Sequence, residues 1–135
     1  VETNPYVEFV PPKEKNRYLI FCDPAGSWAS RDMFGVQIID IDNCEQVAEY
    51  LGHSEAFKMS NYLMEWSKKY NDARIYIEAN GVGEAVLSHL LASGCRNVYQ
   101  AGIQQLKVRL KQLAFYKKLL MMDLLLCIHN DALDN

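Results

Sequence analysis

The sequence predicts an α/β fold, a central mixed sheet flanked by helices. Three observations carry that expectation. Between residues 17 and 51, three short β-rich runs follow one another, separated by turn residues. After residue 54, helical periodicity alternates with brief apolar runs. Half of the 135 residues are hydrophobic and 23% are charged, an ordinary balance for a chain with a buried core.

The elements follow in order. Residues 1–16 contain Pro5, Pro11 and Pro12 and mixed charges, and they read as an extended lead-in or linker. Residues 17–22 form a short apolar strand ending at Asp23, broken by Pro24, Gly26 and Ser27. Residues 34–41 are a second strand, closed by the turn pair Asp42 and Asn43, and residues 46–51 a third. Three consecutive strands with short turns suggest an antiparallel meander. Ser54 is placed to cap a helix running to about Tyr70, with Phe57, Leu63 (or Met64) and Trp66 among its apolar positions. The aromatics Phe57, Tyr62, Trp66 and Tyr70 read as core on one side of it. Residues 74–77 are a fourth strand closing on Glu78. Residues 82–92 are a second helix stopped by Gly94, and residues 97–100 a brief fifth strand. Leu106, Leu110, Leu113 and Leu120 mark a third helix, and residues 124–128 are a last strand or its continuation. A meander followed by alternating helices and strands is the layout of the ribonuclease H-like fold. Strands joined through helices should be parallel and covered on both faces.

Composition narrows the function. The 14 Lys+Arg against 17 Asp+Glu leave a net charge of -3, which excludes an arginine-rich binder while allowing a local basic patch. No run approaches the roughly 18 apolar residues of a membrane helix, so no membrane association is expected. Cys22, Cys44, Cys95 and Cys127 are scattered, with no CxxC pair, as expected of reduced thiols rather than a zinc site.

Two carboxylates stand out by position. Asp23 ends the first apolar strand and Glu78 the fourth. If those strands are neighbours, both carboxylates emerge together, and a divalent cation is the usual relief of their repulsion. Oxygen ligands suit Mg²⁺ or Mn²⁺, and a pair of such ions about 4 Å apart serves phosphodiester hydrolysis. The plainer alternative is that each carboxylate caps a neighbouring turn or helix end.

The surrounding residues add a resemblance. YLIFCDPAGS (residues 18–27), with Asp32 before the next strand, is similar to the first nuclease motif of phage large terminases. IYIEANGVGEAVL (residues 75–87) resembles their second acidic motif and the helix after it. Between them, QIIDIDN (37–43) and EQVAEY (45–50) are similar to the strands that follow the first motif. The resemblance implies a metal-dependent DNA endonuclease domain with a ribonuclease H-like fold, which cuts concatemeric viral DNA during genome packaging. It implies two metal ions held by three acids, the first falling on Asp23 and the second on Glu78, with Asp32 in an outer shell. The third falls either on Asp131 within HND (residues 129–131) or beyond Asn135; Asp131 is the candidate carried forward. The implied domain spans residues 17–135, truncated or with segments missing relative to the family. Its implied setting is the packaging complex at the procapsid in the host cytoplasm, with double-stranded DNA, the portal and the small terminase subunit as partners.

Other signals are weaker. No GxxxxGK(S/T) loop is present, so no ATP site of that type is expected. Gly81 and Gly83 lack the third glycine of a dinucleotide loop, Val86 standing there; they read instead as a tight turn beside Glu78. Lys107, Arg109, Lys111 and Lys118 lie in a segment without acids and are candidates for contact with a DNA backbone, or else a solvated helix face. His53, His89 and His129 are isolated. Rivals to the terminase reading are a resolvase- or transposase-type nuclease of the same fold and a non-catalytic docking domain.

Overall fold

The computed structural model describes residues 4–24, 33–78 and 81–100. Six strands form one sheet: β1 (Tyr6–Glu8), β2 (Tyr18–Pro24), β3 (Met33–Asp40), β4 (Glu45–His53), β5 (Arg74–Ile77) and β6 (Val98–Gln100). Two helices, α1 (Ala56–Lys69) and α2 (Val82–Ala92), stand before and after β5. The sheet order is β1-β4-β3-β2-β5-β6. The expected meander is present, since β2, β3 and β4 pair antiparallel. The strands reached through helices run parallel, β5 beside β2 and β6 beside β5.

Alternation along the strands sorts the side chains onto two faces. Tyr18, Ile20 and Cys22 of β2, Phe34, Val36 and Ile38 of β3, and Ile75 and Ile77 of β5 point into one core. Both helices cover that face. Met59, Leu63, Trp66 and Tyr70 supply the stripe of α1, at spacings of four, three and four, and Val86 and Leu90 that of α2. On the opposite face Leu19, Phe21, Ile39 and Tyr76 are also buried. The third helix and last apolar run expected from the sequence lie outside the described residues, so coverage of that second face by helix has no described counterpart.

Three local readings need correction. Part of the lead-in is structured: β1 pairs antiparallel with β4, Tyr6 stacks on Trp66 at 5.2 Å, and Lys69 Nζ meets Glu8 at 2.6 Å. The following residues are pinned as well, with Asn71 donating to the carbonyls of Lys13 and Asn16 and Asn16 donating to Asp40. These bonds are long-range, so proline-rich local composition did not announce them. Ser54 does not cap α1; Glu55 holds that position, and the Ser54 hydroxyl donates to the Glu55 carbonyl. Phe57 and Tyr62 are exposed rather than core, because they fall outside the 59-63-66-70 stripe.

The β3–β4 turn is organised by Asp40, whose buried carboxylate accepts from the side chains of Asn16 and Asn43 and from the backbone N–H of Asp42 and Asn43, all within 3.0 Å. A bulge in β4 inserts Val47 beyond the Ile38–Ala48 pair, and its carbonyl accepts from the backbone of Phe9 and Val10. Gly94 ends α2 as expected. It adopts φ +82°, with the N–H of Gly94 on the Leu91 carbonyl and that of Cys95 on the Leu90 carbonyl, the paired bonds of a Schellman motif.

Candidate functional site

Parallel pairing of β2 and β5 brings Asp23 and Glu78 side by side. The register runs Leu19–Arg74, Ile20–Ile75, Phe21–Tyr76 and Cys22–Ile77, and the next step is Asp23 beside Glu78. The Glu78 N–H donates to the Cys22 carbonyl at 3.3 Å, fixing its backbone at that step. Cys22 and Ile77 point into the helix-covered core, so Asp23 and Glu78 both project from the opposite face. Asp23 is 8% exposed and Glu78 half-buried.

The ground beneath the pair is aromatic. Phe21 stacks on Tyr76 with ring centroids 5.6 Å apart, and Tyr76 on Tyr99 at 5.3 Å, a row crossing β2, β5 and β6 two ladder steps from the acids. Arg74 lies over the Tyr99 ring at 5.7 Å. This row ties three neighbouring strands together on the acid-bearing face. Behind Asp23, the Cys22 thiol is fully enclosed, and burial pushes it up to about 12, which leaves it protonated and inert.

The start of α2 is pressed against the same place. A Cβ on Gly83 would collide with the Glu78 carbonyl oxygen and sit 2.7 Å from Pro24 Cγ. Only glycine lets the helix approach both Glu78 and Pro24, the neighbour of Asp23. Gly81, in the N-cap position at φ +51°, supplies the preceding turn. The tight turn read from these glycines is therefore present, and Val82 begins a helix rather than a nucleotide loop.

Two carboxylates on adjacent strands, with only oxygen donors, suit a hard divalent cation. Among the described residues no cluster of three or more His, Cys, Asp or Glu is gathered. The described donors thus fit such an ion as two members of a larger set. Asp32, Asp131, Lys107, Arg109, Lys111 and Lys118 lie outside the described residues. His89 is on the exposed side of α2, edge-on to Phe57 at 5.6 Å, and His53 is exposed at the end of β4. Among the described residues no helix is long and apolar enough to cross a membrane.

A mixed sheet ordered in this way, with acids at the ends of its first two parallel neighbours, defines a ribonuclease H-like domain. The family model of the terminase RNaseH-like domain matches residues 20–116, a span that includes both acids, and the chain belongs to that family. Its fold is similar to that of the large terminase nuclease from thermophilic phage G20c, at 15% identity and a TM-score of 0.66 over 90% of this chain and 63% of that one. The same nuclease with bound cobalt matches at 17% identity and a TM-score of 0.69, over 90% of this chain and 64% of the other. With bound magnesium it matches at 18% and 0.65, over 84% and 61%. The chain spans somewhat less than two thirds of those nuclease chains. No curated protein sequence matches it.

Proposed function

We propose that this chain is the metal-dependent DNA endonuclease domain of a phage large terminase, cutting concatemeric viral DNA during genome packaging. The observation that carries the proposal is the placement of Asp23 and Glu78 on adjacent parallel strands and one face. The match of the terminase family model across both acids supports it. Asp23 and Glu78 would hold Mg²⁺ or Mn²⁺ in a two-metal site, with Asp131 or an acid beyond Asn135 completing the set and Asp32 in an outer shell. The related nuclease carries cobalt, magnesium or zinc, which agrees with a site for divalent ions. When bound, such ions offset the charge that develops on phosphodiester oxygens and acidify a coordinated water.

The chain's own residues orient and hold. The β2–β5 ladder fixes the spacing of the two carboxylates before substrate arrives, and the Phe21–Tyr76–Tyr99 row keeps that ladder rigid. In the sequence, Lys107, Arg109, Lys111 and Lys118 supply cations for phosphate contact, which positions duplex DNA without reading its bases. The setting proposed is the procapsid in the host cytoplasm, with the portal and small terminase subunit as partners.

The test is nicking and linearisation of supercoiled plasmid in Mn²⁺, Mg²⁺ or EDTA, with wild type beside Asp23→Asn and Glu78→Gln. Titration calorimetry with Mn²⁺ is run in parallel. Metal-dependent cutting that both substitutions abolish, with circular dichroism unchanged, is the expected result. A wild type that neither cuts nor binds Mn²⁺ would refute the proposal and leave the acids as structural groups of a docking domain.

A further inference from the structure

The lead-in docks on the domain in two zones, separated by Pro11 and Pro12. The inner zone, residues 13–17, is pinned by polar bonds. The Lys13 N–H donates to the Tyr18 hydroxyl at 2.8 Å, and Asn71 donates to the carbonyls of Lys13 and Asn16. The Arg17 N–H and guanidinium both donate to Asp42. The outer zone, residues 5–10, lies along β4. There the Leu51 N–H donates to the Pro5 carbonyl, and the N–H groups of Phe9 and Val10 both donate to the Val47 carbonyl. Val7 and Phe9 are exposed, and Tyr6 and Val10 are only partly buried against the core. The two prolines between the zones have a fixed φ and no N–H to give to a ladder, so they form a stiff joint.

One carboxylate latches the outer zone. Glu8 Oε1 meets Lys69 Nζ at 2.6 Å and accepts from the hydroxyls of Tyr70 at 2.8 Å and Tyr6 at 3.4 Å. The Lys69 ammonium, and after it the two hydroxyls, hold the Glu8 carboxyl below the usual carboxylate range, so the latch is charged at neutral pH. The ion pair is partly exposed, which puts it within reach of screening by salt. Gly52 supplies the fit, since a Cβ there would sit 2.8 Å from Pro5 Cβ. β4 itself does not depend on the outer zone: it pairs with β3 from Glu45 to His53 and sends Val47, Ala48 and Tyr50 into the core.

We infer that residues 5–10 are a releasable strap: they swing off β4 about Pro11 and Pro12 while the domain stays folded, and the Glu8 latch makes release sensitive to ionic strength. Short, exposed segments of this kind open at a lower free energy than the whole fold. Docked, the strap guards the edge of the sheet. It replaces the nine-residue edge of β4 with a three-residue strand bracketed by Pro5 and Pro11, a poor template for another chain. Released, it takes from the Leu51 N–H and the Val47 carbonyl the partners they have here. The strap is independent of the nuclease reading.

The experiment is amide hydrogen exchange of the whole chain, followed by NMR at neutral pH in urea concentrations below the unfolding transition. Phe9, Val10 and Leu51 should exchange at least roughly tenfold faster than Ile20 and Val36 of the inner strands, with almost no dependence on urea. Raising NaCl from about 0.05 M to about 0.5 M should speed those three amides roughly threefold to tenfold in wild type. In Glu8→Gln they should be fast at both salt concentrations. Gly52→Ala, which presses on Pro5 and leaves the latch charges in place, should speed the same three amides and keep the salt response. Exchange of the three wild-type amides at the core's rate and with the core's urea dependence would overturn the strap, because it would then open only with the whole domain. An equal salt response in wild type and Glu8→Gln would overturn the latch.

Discussion

Replacing Gly83 with alanine sets two effects of opposite sign against each other. Helix propensity alone favours the change, by up to about 1 kcal/mol within a helix, and α2 begins at Val82. Packing opposes it. The added methyl meets the Glu78 carbonyl oxygen at a separation no real Cβ tolerates, and Pro24 Cγ at 2.7 Å. Neither partner yields cheaply, since the first is backbone at the end of β5 and the second a proline ring closing β2. Relief requires moving α2 off the sheet, and an extra methyl in a tight site costs about 1–3 kcal/mol or more. The net expectation is a loss of about 1–2 kcal/mol, a fall of roughly 4–8 °C in Tm for a domain of this size. Urea and thermal unfolding followed by circular dichroism would measure it, with Ala85→Gly on the exposed side of α2 reporting propensity alone. Because the clash lies on Glu78 itself and on Pro24, the neighbour of Asp23, metal-dependent cleavage should fall at temperatures where the variant is still folded. A Gly83→Ala protein as stable as wild type, or more so, would refute the tight docking of α2 against the acid pair.

Two further outcomes follow from the fold. Burial of the Asp40 carboxyl tends to raise its pKa, but hydrogen bonds from Asn16 and Asn43 and from the backbone at Asn43 and Asp42 outweigh it and hold the group below the usual carboxylate range. A folded pKa below the unfolded one means that its stabilisation is present above about pH 4 and lost as pH falls through the folded value. Urea unfolding between pH 6 and 3 should show that loss in wild type and a flatter profile in Asp40→Ala, which should be less stable by about 2–4 kcal/mol at pH 6 given four broken bonds; equal pH profiles would contradict the account. Gly94→Ala, which forces a side chain into φ +82°, should cost about 1–2 kcal/mol in the same assay without altering Mn²⁺ affinity at the distant acid pair.

Much of this protein was legible in its sequence because the signals are local. The bounds of β5 and α2 match their apolar runs and glycines, since a strand that ends in an acid and a helix that ends in glycine carry their punctuation within a few residues. Asp23 and Glu78 were visible as strand-end carboxylates, and alternation along β2 and β5 implied that each could face its own way out of the core. The aromatic positions of α1 were less legible. Tyr62 and Phe57 look as apolar as Trp66 and Tyr70, and only the angle at which α1 lies on the sheet decides which four residues are buried.

What the chain alone could not decide are the relations between segments distant in sequence. Composition marks residues 1–16 as a lead-in, yet Tyr6–Glu8 becomes an edge strand because β4 has an open edge and Trp66 a free ring face, both more than thirty residues away. The adjacency of Asp23 and Glu78 depends on β5 docking beside β2 after a helical crossover, a pairing no local pattern encodes. Local propensity and periodicity determine the elements, because each residue's backbone preference acts within one turn or one pleat. Register and strand order arise from burial of shared surface, which exists only once the segments meet, and they make a site of separate acids.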